Sequence, residues 1–196
     1  QIDTPHIDAI AQRGVLLTNG YASANVCTPS RAGLLTGRYA IRSGLAWKVV
    51  QAGDRRSLPA SEQTMAELVK GAGYQAGMVG KWHLSNAAQP DGPNAPHKRG
   101  FDRFYGTING ASDFFAPDDL QLNGKSMTHE WENTPNYYYS DAMTDYALKF
   151  MKERPAKKPF FLYLSFTSAH WPLHAKPADI AHYKGKYAKG WDKMRQ

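Results

Sequence analysis

The stretch Phe160-Phe161-Leu162-Tyr163-Leu164-Ser165-Phe166 is almost continuously apolar, the pattern of a strand covered on both faces rather than of one that alternates between core and water. Working outward from it, Ser140 opens a helical pattern in which Met143, Ala147, Phe150 and Met151 share one side, and Pro155 marks its end. The same order occurs earlier in the chain. Ser61 is placed to cap a helix carrying Met65, Leu68 and Val69 on one face, the Gly71-Ala72-Gly73 break ends it, and Tyr74 to Val79 reads as a strand. Helix followed by strand, twice over, predicts βαβ-type units and an α/β fold, a largely parallel or mixed sheet flanked by helices.

In such sheets, ligands bind beyond the carboxyl ends of the strands. Lys81 and His83 directly follow the first strand, and His170 comes four residues after the second run. A shared rim is therefore expected to bring them together. Between Ser85 and Tyr139 the chain is rich in Pro, Gly, Asn and Asp, which predicts a long loop excursion with small elements. At the start, Thr4-Pro5 is a cap and first helical residue for a short helix carrying Ile7, Ile10 and Ala11 up to Gly14.

Composition bounds the function classes. Hydrophobic residues make up 42% of the 196 and aromatics 12%, enough for a real core and far from a disordered composition. Lys plus Arg number 24 against 17 acidic residues, a net charge of +7 that favours anions as ligands. A lone cysteine excludes an internal disulfide framework and a multi-cysteine zinc site. No apolar run approaches the roughly 20 residues of a membrane span. The sequence starts at Gln1 and stops at Gln196 within a basic, aromatic stretch, so a piece of a longer protein is expected.

The chemistry concentrates in Cys27-Thr28-Pro29-Ser30-Arg31-Ala32-Gly33-Leu34-Leu35-Thr36-Gly37-Arg38. Here the cysteine stands just before a helix that Pro29 opens, where unpaired N–H groups and the positive dipole end suit a nucleophile attacking an anionic ester. Arg31, one turn on, offers a permanent charge and paired donors. A lone cysteine is more often an inert buried side chain, and composition alone does not separate the two readings.

The wording of this block resembles the type I sulfatase motif, Cys-x-Pro-Ser-Arg followed by Leu-Thr-Gly, at every diagnostic position. Gly80-Lys81-Trp82-His83-Leu84 is similar to the family's second motif, Arg99 to Gly106 to a segment that recurs downstream, Ala169-His170-Trp171-Pro172 to its His-x-Pro loop, and Thr4-Pro5-His6-Ile7-Asp8 to the helix before the cysteine block. The resemblance spans nearly the whole chain. It implies a sulfatase, alkaline phosphatase-like fold that is incomplete here: residues 1–196 as a partial catalytic domain, without the family's first strand and its paired aspartates, the later Asp-Asn ligands, a further lysine and the C-terminal domain.

The same resemblance implies that Cys27 is oxidised to formylglycine by a formylglycine-generating enzyme and that its hydrated aldehyde attacks a sulfate ester. A calcium ion or another hard divalent cation would bind that group, so Cys27 is the one metal-binding position expected within the chain. Arg31 would hold the formylglycine, Lys81 would contact a sulfate oxygen, and His83 would orient the diol and assist loss of its proton. His170 would bind sulfate or protonate the leaving oxygen. Family habit implies a periplasmic, secreted or lysosomal setting, with a bacterial extracytoplasmic one favoured. The substrate implied by the resemblance is an aryl sulfate or a sulfated glycan, and no nucleic acid is expected.

Each residue also has a plain structural reading: Lys81 as a solvated loop lysine, His83 as a buried hydrogen-bonding imidazole, His170 as a turn residue before Pro172. The pair His170 and His174 has a helical zinc spacing that Pro172 argues against, and Asp118-Asp119 reads as two solvated acids. The tail from His182 to Trp191 reads as a solvated helix or lid. Two rivals stand beside the sulfatase reading. One is an enzyme of the same superfamily acting on phosphate or phosphonate esters, and the other is a non-catalytic anion- or glycan-binding relative with an unmodified thiol.

Overall fold

The computed structural model describes residues 2–186 and residue 190. Two compact units are present, residues 22–174 and residues 1–21 with 175–196. In the larger unit a five-stranded mixed sheet has the order β4-β3-β2-β1-β5, with β1 at Gln75–Gly80, β2 at Arg103–Gly106, β3 at Gln121–Leu122, β4 at Lys125–Ser126 and β5 at Phe160–Ser165. Strand β1 is parallel to both β2 and β5, while β3 and β4 join antiparallel. The expected parallel pair is there, and a third parallel strand, β2, lies inside the stretch read as a loop excursion. Only four residues long, with Asp102 and Arg103 at its start, β2 is too short and too polar at its entry to announce itself by periodicity.

Side chains alternate across the sheet as strand geometry requires. Ala76, Met78, Phe104, Phe161 and Tyr163 face one core with Leu45, Leu58 and Trp82; Val79, Tyr105, Phe160 and Leu162 face the other. The first core is closed by α2 (Cys27–Thr36) through Ala32 and Leu35 and by α3 (Met65–Gly71) through Ala66. The second is closed by α5 (Tyr139–Lys152), whose Tyr139, Met143, Ala147 and Phe150 are buried. Each fully buried side chain of this size stabilises by about 1.5–3 kcal/mol. Between them, α4 (His129–Asn133) sets Trp131 against the second core.

Several local expectations need correction. The cap of α3 is Thr64, not Ser61: Thr64 accepts from Glu67 N–H and Glu67 reaches back to Thr64 N–H, a capping box. Starting at Met65 turns Ala66 inward and leaves Leu68 exposed. Met151 likewise lies past the inward stripe of α5 and is 41% exposed. The run is half-buried rather than covered on both faces, with Leu164 and, just past β5, Phe166 at 39% and 41% exposure, because β5 is an edge strand among the described residues.

In the smaller unit, α1 (Pro5–Arg13) forms where Thr4-Pro5 predicts it and ends at Gly14, with Ile7 and Ile10 exposed. Helix α6 spans Pro177–Tyr183, and Tyr183 Oη accepts from Asp3 N–H at 3.3 Å. The tail expected as a helix or lid begins within α6; residues 187–189 and 191 of it lie outside the described residues. No helix among the described residues is long and apolar enough to cross a membrane.

Candidate active site

Helix α2 begins at Cys27 itself, not after it. Val26 is the extended N-cap with φ −132° and ψ 161°, and Gly37, at φ 66°, closes the other end by donating to Gly33 O at 2.9 Å. Cys27 therefore sits in the first turn with the unpaired N–H groups. It lines a cavity of about 390 Å³ with Val49–Ala52, His83, Asn109, Gly110, Ala111 and His170.

The carboxyl ends of β1 and β5 supply the rest. Gly80, at φ 104°, allows the strands to close: a Cβ there would lie 2.0 Å from Ser165 O, and Lys81 N–H donates to that same oxygen at 2.9 Å. Arg31 Nη1 reaches from α2 into this junction, donating to Lys81 O at 2.7 Å, Ser165 Oγ at 2.6 Å and Tyr163 Oη at 3.4 Å. One guanidinium nitrogen thus ties helix, β1 and β5 together. The Lys81 side chain is buried and donates to Gly110 O, and Cys27 is close enough to bear on its charge.

Burial lowers the affinity of both cations for their protons. For Lys81, the Arg31 charge adds to burial while Cys27 opposes it; for Arg31, Tyr163 and Cys27 oppose burial. Neither forms a salt bridge among the described residues. His83 is pushed down to about 4 by burial first, then by the positive charge of Lys81, so it is neutral near pH 7. Its Nε2 lies 2.8 Å from Val50 O, and its Nδ1 is buried without a partner. His170 is exposed on the cavity rim, with Nδ1 2.6 Å from Trp171 O.

All five residues singled out in the sequence, Cys27, Arg31, Lys81, His83 and His170, thus belong to one region. His174 does not join them: its Nδ1 is 3.6 Å from Asp113, with no helix running from His170 to it. Sequence reasoning missed two residues. Thr28 hydroxyl links His83 O to Val50 N–H. Asp119, read as solvated, accepts from Ile108 N–H at 2.9 Å and Asn109 N–H at 2.7 Å and is raised to about 6, chiefly by burial. It braces the turn whose Gly110 carbonyl meets Lys81. Nothing in a bare Asp-Asp pair distinguishes that role.

The cavity wall has no carboxylate, and among the described residues no group of three or more His, Cys, Asp or Glu is placed to hold a metal ion. A hard cation takes about six to eight oxygen ligands, so these residues do not by themselves make its shell. What they offer is charge stabilisation and proton transfer around Cys27.

The sulfatase family profile matches residues 1–196. Mouse arylsulfatase J is 31% identical over 94% of this chain and 31% of its own length, and human N-acetylgalactosamine-6-sulfatase is 33% identical over 94% and 38%. The crystal structure of Ps i-CgsB in complex with k-i-k-neocarrahexaose superposes with a TM-score of 0.83 at 29% identity, covering 96% of this chain and 44% of that one. The chain spans about a third of the length of these curated relatives. Its mixed, helix-flanked sheet is that of the sulfatase, alkaline phosphatase-like fold. With the profile covering every residue and relatives above 30% identity along nearly all of it, the chain belongs to the sulfatase family.

Proposed function

We propose that the whole protein hydrolyses sulfate monoesters and that Cys27, oxidised by a formylglycine-generating enzyme, is the precursor of its nucleophile. The observation that carries this reading is the pairing of a buried Lys81 with a half-buried Arg31, neither of which has a carboxylate partner among the described residues, beside a cysteine in the first turn of α2. Unneutralised buried charge is costly, and a sulfate group in the cavity would offset it.

Formylglycine supplies a hydrated aldehyde, one hydroxyl bonding to sulfur as the alcohol departs and the other losing its proton as the aldehyde returns and sulfate leaves. Arg31, anchored at the ends of β1 and β5, would hold the group made from Cys27, and Lys81 would take the charge that grows on a sulfate oxygen. His83, neutral, with its lone pair on Nδ1, accepts the hydroxyl proton. His170, at the rim where the alcohol leaves, gives a proton to the departing oxygen. Calcium or a similar cation is a family expectation whose remaining ligands lie outside the described residues.

Sulfated glycans are the favoured substrates, supported by the names of the N-acetylgalactosamine-6-sulfatase relative and of the neocarrahexaose complex; aryl sulfates serve as reporters. The expected setting is extracytoplasmic. Turnover of matched aryl sulfate and aryl phosphate by the full-length protein tests the reading. Preference for the sulfate supports it; preference for the phosphate, or turnover of neither by a protein with converted Cys27, overturns it.

A further inference from the structure

Thr28 is the second residue of α2 and is fully buried, yet its hydroxyl does not bond within its own helix. It donates to His83 O at 2.9 Å and accepts from Val50 N–H at 3.0 Å. Val50 completes the circuit, since its carbonyl lies 2.8 Å from His83 Nε2. Three segments far apart in sequence are closed into one ring of hydrogen bonds around the imidazole.

The chemistry of that ring has one consequence. A backbone carbonyl only accepts, so Nε2 must carry the hydrogen; a neutral imidazole has a single N–H, so Nδ1 keeps its lone pair. Nδ1 is buried with no partner in the protein, while the ring lines the cavity with Cys27. His83 also has a left-handed backbone, φ 59°, which is strained for a residue with a Cβ and persists only if held from outside. The Thr28 hydroxyl on its carbonyl and Ile108 O on its N–H, at 3.0 Å, hold it.

We propose that Thr28 is a positioning residue: through Val50 it selects the Nε2–H form of His83 and so presents an unprotonated Nδ1 to the group made from Cys27. The proposal rests on the sulfatase reading for its catalytic meaning but not for its structural one. Replacing the hydroxyl by a methyl leaves Val50 N–H and His83 O without their shared partner and removes the bridge that ties the Val50 backbone, whose carbonyl meets Nε2, to His83.

The test uses the full-length protein with 15N-labelled histidine, assigned with His83→Gln, and compares Thr28→Val, which is isosteric, with Thr28→Ser, which keeps the hydroxyl. Conversion of Cys27 is followed by peptide mass, because Thr28 lies inside the modified motif. The wild type and Thr28→Ser should show the Nε2–H signature at His83, and Thr28→Val a loss of it. In fully converted protein, kcat should fall on the order of a hundredfold in Thr28→Val with KM little changed, and recover in Thr28→Ser. An Nδ1–H ring in the wild type, or an intact Nε2–H ring in folded Thr28→Val, overturns the proposal. If Thr28→Val does not fold, Thr28→Ala takes its place and is judged by the same criteria. Tautomers that behave as expected in a protein inert toward every sulfate ester would sink the sulfatase reading and leave the positioning role standing.

Discussion

Gly110→Ala is a one-methyl change that reaches the proposed chemistry from the side. A Cβ on Gly110 would lie 2.1 Å from His83 Cε1, 2.5 Å from Nε2 and 2.7 Å from Nδ1, where ordinary contact begins near 3.4 Å. Either the ring or the turn must therefore give by roughly 1 Å. If the ring moves, the 2.8 Å contact between Nε2 and Val50 O lengthens beyond hydrogen-bond range. If the turn moves, it carries away the Gly110 carbonyl that receives Lys81 Nζ. Both routes disturb a group proposed to act in catalysis, and a displacement of about 1 Å costs on the order of a hundredfold in rate. Overpacking should add about 1–3 kcal/mol of destabilisation. Measuring kcat on an aryl sulfate and thermal unfolding in the full-length protein checks both. A variant whose kcat stays within about threefold of wild type, with unchanged unfolding, would refute the tight packing of His83 against Gly110 as a constraint on activity.

Other expectations follow from the same geometry. Lys81→Ala and Arg31→Ala should each lower kcat about a hundredfold or more, and Arg31→Ala should also lower the melting temperature because three acceptors lose one donor; unchanged rates would return either residue to a structural role. Asp119 has a folded pKa of about 6 against about 3.9 unfolded, so the native state binds its proton more tightly. Its contribution is full below about pH 4 and is lost as pH rises through 6, by up to about 3 kcal/mol; denaturant unfolding of wild type and Asp119→Asn across that window should diverge, and parallel curves would contradict the burial argument. Replacing His170 by Gln should slow esters of poor leaving groups more than those of stable phenolates. His83→Gln should instead give release of alcohol that outruns release of sulfate whatever the alcohol; rapid-quench kinetics separates the two, and the opposite pattern would exchange their roles.

Much of the site was legible because its residues occupy the ends of elements that periodicity marks well. The apolar run at Phe160 to Phe166 and the helix before it locate one rim, and Tyr74 to Val79 locates the other, so Lys81, His83 and His170 follow. Strand β2 was not legible, since four residues entered through Asp102 and Arg103 carry no period-2 signal. Nor was the half-exposed state of β5, because an apolar run does not say how many neighbours its strand has. The bracing residues were hidden for a different reason. Thr28 and Asp119 act through backbone amides and carbonyls at Val50, His83, Ile108 and Asn109, and backbone partners leave no trace in side-chain identity. Arg31 was expected to face the anion, but its ties to Lys81 O and Ser165 Oγ, which make it a structural cross-link as well, required the fold.

The central claim is that the working group at position 27 is not a thiol. The most direct measurement is the mass of the peptide spanning Cys27 in full-length protein purified in active form from a host that makes formylglycine. The aldehyde is expected at that position in molecules that turn over sulfate esters, in a fraction that tracks specific activity across preparations. An unmodified thiol throughout an active preparation would contradict the claim, and with it the roles proposed for Arg31, Lys81, His83 and His170.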